Sequence, residues 1–175
     1  WSFTRRVQRK VLVQKEDASD MGEVPIYYDR DFDRIIDQEV FTVTPDGKKH
    51  PPIKVQDMSV YEGEPMYSNA MLRVLSMPAV GVGAVIDVDY TISSKGMSMK
   101  NAFWDVKSLR QGVPVKEYRY TITFPKKLGI SYREFGLTQK PEITEKGGMV
   151  TYRWELKDLY DDRQGEQYLP PPSPD

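Results

Sequence analysis

Apolar and polar side chains alternate residue by residue along much of this chain. Across Val82 to Ser93, Val82, Ala84, Ile86, Val88, Tyr90 and Ile92 share one parity, while Asp87, Asp89, Thr91 and Ser93 share the other. Successive side chains of an extended strand point to opposite faces, so this pattern predicts a half-buried β-strand. "KEYRYTITF" repeats it, with Tyr118, Tyr120, Ile122 and Phe124 opposed by Glu117, Arg119, Thr121 and Thr123. "MVTYRWEL" does so again through Val150, Tyr152, Trp154 and Leu156, and "VQRKVLV" more weakly through Val7, Val11 and Val13. "DFDRIIDQEVFTV" suits either a helix or a strand by spacing, and its β-branched residues and following turn favour the strand.

Turn chemistry punctuates these runs: "PDGK" at Pro45 to Lys48, "SKG" before Met97, "KKLG" before Ile130 and "EKGG" before Met149. Short strands separated by Gly and Pro, with no amphipathic helices to cross over a parallel sheet, predict an all-β fold. The expected architecture is a two-sheet antiparallel β-sandwich with little helix, one domain over 1–165. The tail "YLPPPSPD" favours an extended polyproline conformation, so 166–175 is expected to be a linker towards a further domain.

At 175 residues the chain can bury roughly 70% of its unfolded surface, and it needs no cross-links to fold. Hydrophobic residues make up 39% and charged residues 29%, as in a soluble globular domain. A net charge of −1 creates no global field to draw a polyanion, so nucleic acid is not an expected partner. The basic run "TRRVQRKVLVQK" is followed at once by the acidic "KEDASDMGE", the mark of a solvated face. No apolar run approaches the ~18 residues that span a bilayer. The opening at Trp1 fits a piece excised from a longer protein. The absence of cysteine excludes disulfides, thiolate metal sites and cysteine nucleophiles within the chain.

Four motifs invite chemical readings. Gly81 and Gly83 in "SMPAVGVGAVIDVDYTI" give a Gly-x-Gly, but the third glycine of a dinucleotide fingerprint is Ile86 here and a strand follows instead of a helix. These glycines are expected to serve a turn or bulge at the entry to the sheet. Asp29, Asp31 and Asp33 alternate as in a calcium loop, yet Arg34 replaces its glycine and Val40 its bidentate glutamate. Carboxylates on an exposed strand edge fit better. His50, the single histidine, follows a turn and precedes a proline pair, which suits a surface loop more than a general base or a metal ligand. Among the three Trp and eleven Tyr, Trp154 falls on an apolar strand face, whereas Trp104, Tyr61 and Tyr67 sit among polar loop residues. These last three are the candidate ligand or partner surface, since exposed aromatics stack on sugars or anchor partners. No catalytic residue, metal ligand or cofactor is expected.

Four segments in this order, "VFTVTPDGKK", "MPAVGVGAVIDVDYTI", "NAFWDVKSLRQGVPVKEYRYTITFP" and "TYRWELKDL", resemble the β-domain that lies N-terminal to transglutaminase-like domains in exported bacterial, often Bacteroidetes, proteins. The shared features are the turn at Pro45 to Gly47, Pro78 followed by a strand introduced at Gly83, and a strand from Pro114 and Val115 to Pro125. The resemblance extends from about Val24 to Leu159. It implies an antiparallel sandwich outside the cytoplasm, periplasmic or extracellular, attached to a transglutaminase-like neighbour in the same polypeptide. It implies no active site here, since that neighbour's chemistry uses a Cys, His, Asp set. The expected role is a non-catalytic accessory domain that positions the neighbour or presents a surface to cell-envelope peptide or glycan. The alternative is a carbohydrate-binding module built on Trp104, Tyr61 or Tyr67. A carboxylate-based hydrolase would instead need two acidic side chains converging in a cleft.

Overall fold

Among the described residues there are ten strands: β1 (Ser2–Leu12), β2 (Glu23–Asp29), β3 (Asp33–Val43), β4 (Lys49–His50), β5 (Lys54–Ser59), β6 (Ala70–Ser76), β7 (Val85–Lys95), β8 (Val115–Pro125), β9 (Glu142–Lys146) and β10 (Met149–Leu159), of which β1, β3, β7, β8 and β10 lie where the alternation places them. The computed structural model describes residues 2–16, 19–61, 69–96, 105–107, 114–137 and 139–159. The helical content among them is two short 3-10 turns, Ser19–Gly22 and Lys126–Leu128. The fold is therefore all-β, and every strand pairing is antiparallel. The segment that suited a helix equally well, Asp33–Val43, is a strand.

The strands make three sheets, ordered β1-β7-β3-β4, β2-β6-β5 and β8-β10-β9. They fall into two compact units, 1–104 with the first two sheets and 105–175 with the third. The expected linker at 166–175 lies outside the described residues.

In the first unit the two sheets share one core. Val24 and Ile26 of β2 and Leu75 of β6 meet Val40 of β3 and Ile86, Val88 and Ile92 of β7, all at most 3% exposed. Each such side chain contributes about 1.5–3 kcal/mol by leaving water. Every second residue of these strands faces the opposite way, so pairing register alone decides which side chains are core. Pro25 sits within β2 without breaking the sheet because β2 is an edge strand, where a missing N–H costs no ladder bond.

The Gly-x-Gly is a turn at the entry to β7, as its chemistry predicts. Gly83 has φ +83°, its N–H donates to the Val13 carbonyl, and the Ala84 N–H donates to the Gly81 carbonyl. A Cβ at Gly83 would also stand 3.2 Å from Pro45 Cγ. The Pro45 to Lys48 turn joins β3 to β4, closed by the Gly47 N–H to Thr44 and the Thr44 N–H to Lys48.

The second unit is one twice-paired strand, β10, flanked by β8 and β9. β9 and β10 pair Lys146 with Met149, leaving Gly147 and Gly148 as a two-residue loop with φ +59° and +77°. Two positive φ angles are what the primed hairpin turns demand, and glycine adopts them without strain.

Two substitutions test this account by urea unfolding. Leu75→Ala empties a fully buried position between the sheets and is expected to cost about 2–5 kcal/mol; a loss within experimental error would show that the two sheets do not share a core. Thr42 is fully buried and its hydroxyl has no hydrogen-bond partner. Thr42→Val removes that unmet group at nearly constant shape, so stability should hold or rise by about 1 kcal/mol; a marked fall would mean the hydroxyl is bonded.

Candidate functional site

The polar face of the β8-β10-β9 sheet carries two adjoining shallow depressions. Cross-strand register stacks Thr121, Arg153 and Glu142 in one row and Thr123, Thr151 and Thr144 in the next, with Arg119 opposite Glu155. Arg119, Thr121, Thr151, Arg153, Glu142 and Thr144 line a shallow depression of about 350 Å³. It continues past Glu142 and Arg153 into a second of about 680 Å³, bordered by Lys140, Glu155 and Lys157.

Glu155 organises this face. Arg153 Nη2 donates to its Oε2 at 2.6 Å, and Arg119 Nε stands 3.5 Å from the same oxygen while its Nη2 reaches Glu117 at 2.7 Å. The hydrogen bond from Arg153, and then that from Arg119, hold the Glu155 carboxyl below the usual range. A carboxylate so held accepts charge and hydrogen bonds but cannot serve as a general acid near neutrality, which requires the opposite shift. The Thr123 and Thr151 hydroxyls bond each other at 2.9 Å, so the threonines knit strands together instead of pointing a nucleophile outward.

The opposite face is aromatic. Trp154 packs against Tyr120, Tyr132 and Tyr152 with ring centroids 5.4 to 6.1 Å apart, and Phe124 meets Tyr152 edge-on. Tyr132, brought from the segment after the 3-10 turn, covers part of this face and is 43% exposed. The Trp154 indole N–H donates to Glu134 Oε1 at 2.7 Å, and Lys140 pairs with the other oxygen of that carboxylate. Lys140 first, and the indole second, depress the Glu134 carboxyl, while Glu134 raises the Lys140 ammonium. Trp154 thus belongs to local packing, as its strand position indicates.

Other acidic residues are similarly committed. Arg6 grips Asp89 through both oxygens, at 2.9 and 2.6 Å, and Lys10 pairs with Asp87 across β1 and β7. Arg73 of β6 holds Asp57 of β5 with two bonds of 2.7 Å and also reaches Gln38 of β3, crossing from one sheet to the other. Hydrogen bonding from the arginine is the first cause of the lowered carboxyl in both Asp89 and Asp57.

The motifs with competing readings resolve in structural terms. Asp29 accepts the N–H groups of Asp31 and Phe32, Asp33 accepts that of Asp29 and the Ser94 hydroxyl, and Asp31 accepts from the Asn69 amide. The three aspartates cap the turn between β2 and β3. His50 ends the short strand β4, half-buried and 3.5 Å from Thr44 Oγ1, a strand position where the sequence suggests a loop. Of the three candidate surface aromatics, Tyr61 lies just beyond β5 and is 55% exposed, while Tyr67 and Trp104 lie outside the described residues. The Arg119–Glu155–Arg153 group and the Glu134–Lys140–Trp154 group are absent from the sequence reading. Their only signal there is a row of polar residues at alternate positions of "KEYRYTITF" and "TYRWELKDL".

Glu134→Gln tests the indole clamp. A lowered folded-state value means Glu134 stabilises the fold above its ordinary value of 4.5, and that contribution fades as pH falls through the lowered value. The variant should show a flatter loss of stability on acidification and a displaced Trp154 indole N–H resonance. An unmoved resonance would rule out the contact.

The sequence matches the model of DUF3857, a domain of unknown function with solved structure, over residues 1–161. No curated protein matches it. Among solved structures, a "putative protease" from Parabacteroides distasonis ATCC 8503 is similar with a TM-score of 0.83 at 22% identity, over 94% of this chain and 34% of that one. The chain thus spans about a third of the length of that structure. At this identity the likeness is one of fold. With nearly its whole length accounted for by the family model, the chain belongs to the DUF3857 family.

Proposed function

We propose that this chain is a non-catalytic accessory domain of a larger exported protein, working beside a transglutaminase-like domain in the same polypeptide. The observation that carries this reading is the state of its carboxylates: Asp57, Asp89, Glu134 and Glu155 are each tied to a cation and held in the charged form. Such groups stabilise a scaffold; a paired-carboxylate hydrolase needs one of its acids raised instead. The similar fold occupying 34% of a longer protein supports a role as one part of a multidomain chain. The open, polar depression on the third sheet suits transient contact with a hydrophilic peptide from the cell envelope, and a periplasmic or extracellular setting accompanies that reading.

Removing residues 1–161 from the longer polypeptide tests the proposal. The remaining domain should keep its chemistry but show a raised KM for peptide substrate or a lowered melting temperature. If both stay unchanged, or if the isolated 175-residue chain itself turns over peptide substrate, the accessory role fails.

A further inference from the structure

The two outer faces of the first unit differ in where their apolar residues lie. On the β1-β7-β3-β4 sheet the outward rows run Lys10, Asp87, Phe41; Gln8, Asp89, Glu39; and Arg6, Thr91, Asp37. Phe41 is the one apolar residue in them, and Lys49 lies over its ring at 5.3 Å. These three rows are polar along most of the face. The polar rows of that face give way at one end to an apolar outward row, Leu12, Val85, Val43; on the β2-β6-β5 sheet the apolar residues lie along the middle rows instead, Pro25, Val74, Gln56 and Tyr27, Leu72, Met58. Their parity is fixed by the buried Val24, Ile26 and Leu75, which point the other way.

Tyr27, midway along the edge strand β2, is 60% exposed. At one end the row Glu23, Ser76, Lys54 forms a polar border, with the Ser76 hydroxyl donating to Glu23 at 3.2 Å. At the other end Arg30 donates to Asn69. An apolar patch bordered by polar residues at both ends, with an exposed tyrosine on its edge strand, is the composition of a contact surface.

We propose that the outer face of the β2-β6-β5 sheet docks the apolar surface of a neighbouring domain in the same polypeptide. This rests on the accessory-domain reading above and gives it a specific contact. Two observations favour an intrachain domain as the occupant. The fold makes up about a third of the similar structure's length, which leaves two thirds of that protein as further chain. The face also lacks charge at its centre, so it has no means to steer or select a freely diffusing charged partner, whereas a tethered neighbour arrives at high effective concentration without steering. Pro25 on the edge strand removes a donor that an added strand would need, which directs recognition to the face and away from the edge.

Hydroxyl-radical footprinting of the 175-residue chain and of the longer polypeptide provides the test, read at Tyr27, Leu72 and Met58, with Tyr132 and Phe135 of the second unit followed in parallel. In the longer polypeptide, labelling of Tyr27 should fall by about fivefold or more, as for a side chain taken into the water-excluded centre of an interface, and Tyr132 should keep its reactivity. Tyr27→Glu should leave the melting temperature of the 175-residue chain unchanged and restore labelling of Met58 in the longer protein. If Tyr27 labels equally in both proteins while Tyr132 or Phe135 becomes protected, this face is wrong and the accessory reading stands. If no residue changes, both fall. A concentration-dependent dimer of the 175-residue chain that Tyr27→Glu disperses would reassign the face to self-association and overturn the proposal.

Discussion

Burial of one side of each strand against the opposite sheet is the constraint on which the first unit depends. Ile26 and Leu75 from one sheet, and Ile86 and Ile92 from the other, lose essentially all contact with water. Their positions fix the register of β2 against β6 and of β3 against β7, because a slip by one residue would send each of them outward. Irregularity is accommodated where it does not disturb this core: the bulge in β3 falls between Ile35 and Asp37 and leaves Ile36 on the surface, 60% exposed.

Charge is handled by pairing across strands. Arg6 with Asp89 and Lys10 with Asp87 sit on the solvated side of β1 and β7, where each exposed pair adds at most about 1 kcal/mol but discourages mispairing of a long edge strand. Arg73 is different, since its side chain is 26% exposed and its guanidinium spans from Asp57 to Gln38 on the facing sheet. Such a partly enclosed pair orients the sheets more than it stabilises them. The same economy appears on the third sheet, where Glu155 serves two arginines and Glu134 serves an indole and a lysine. Ionisable side chains committed to strand-to-strand contacts are poorly placed for proton transfer.

Much of this was legible from residue order. The strands around Ile86, Tyr120 and Trp154 follow directly from parity, and the turns at Gly47, Gly83 and Gly147 follow from a positive φ that other residues resist. The grouping of strands into three sheets was not legible, because parity gives each strand two faces without naming the partner for either. Nor could it foresee the cluster of Tyr132, Glu134 and Lys140 on Trp154, since "SYREFGLTQK" has no period and its contacts depend on where a loop is carried. Of the candidate surface aromatics Tyr61, Tyr67 and Trp104, only Tyr61 has a described position.

The pairing of β1 with β7 joins residues 83 apart, as Arg6 with Asp89 shows. A ribosome adding 5–20 residues per second leaves the first strand without its mate for roughly 4 to 17 s. Through that interval "TRRVQRK" must remain in water as a nascent chain, and its density of positive charge keeps copies on adjacent ribosomes apart. The last hairpin, with two glycines between its strands, can close within microseconds of emerging. The wait between synthesis and pairing is therefore seconds for the first strand and microseconds for the β9–β10 hairpin.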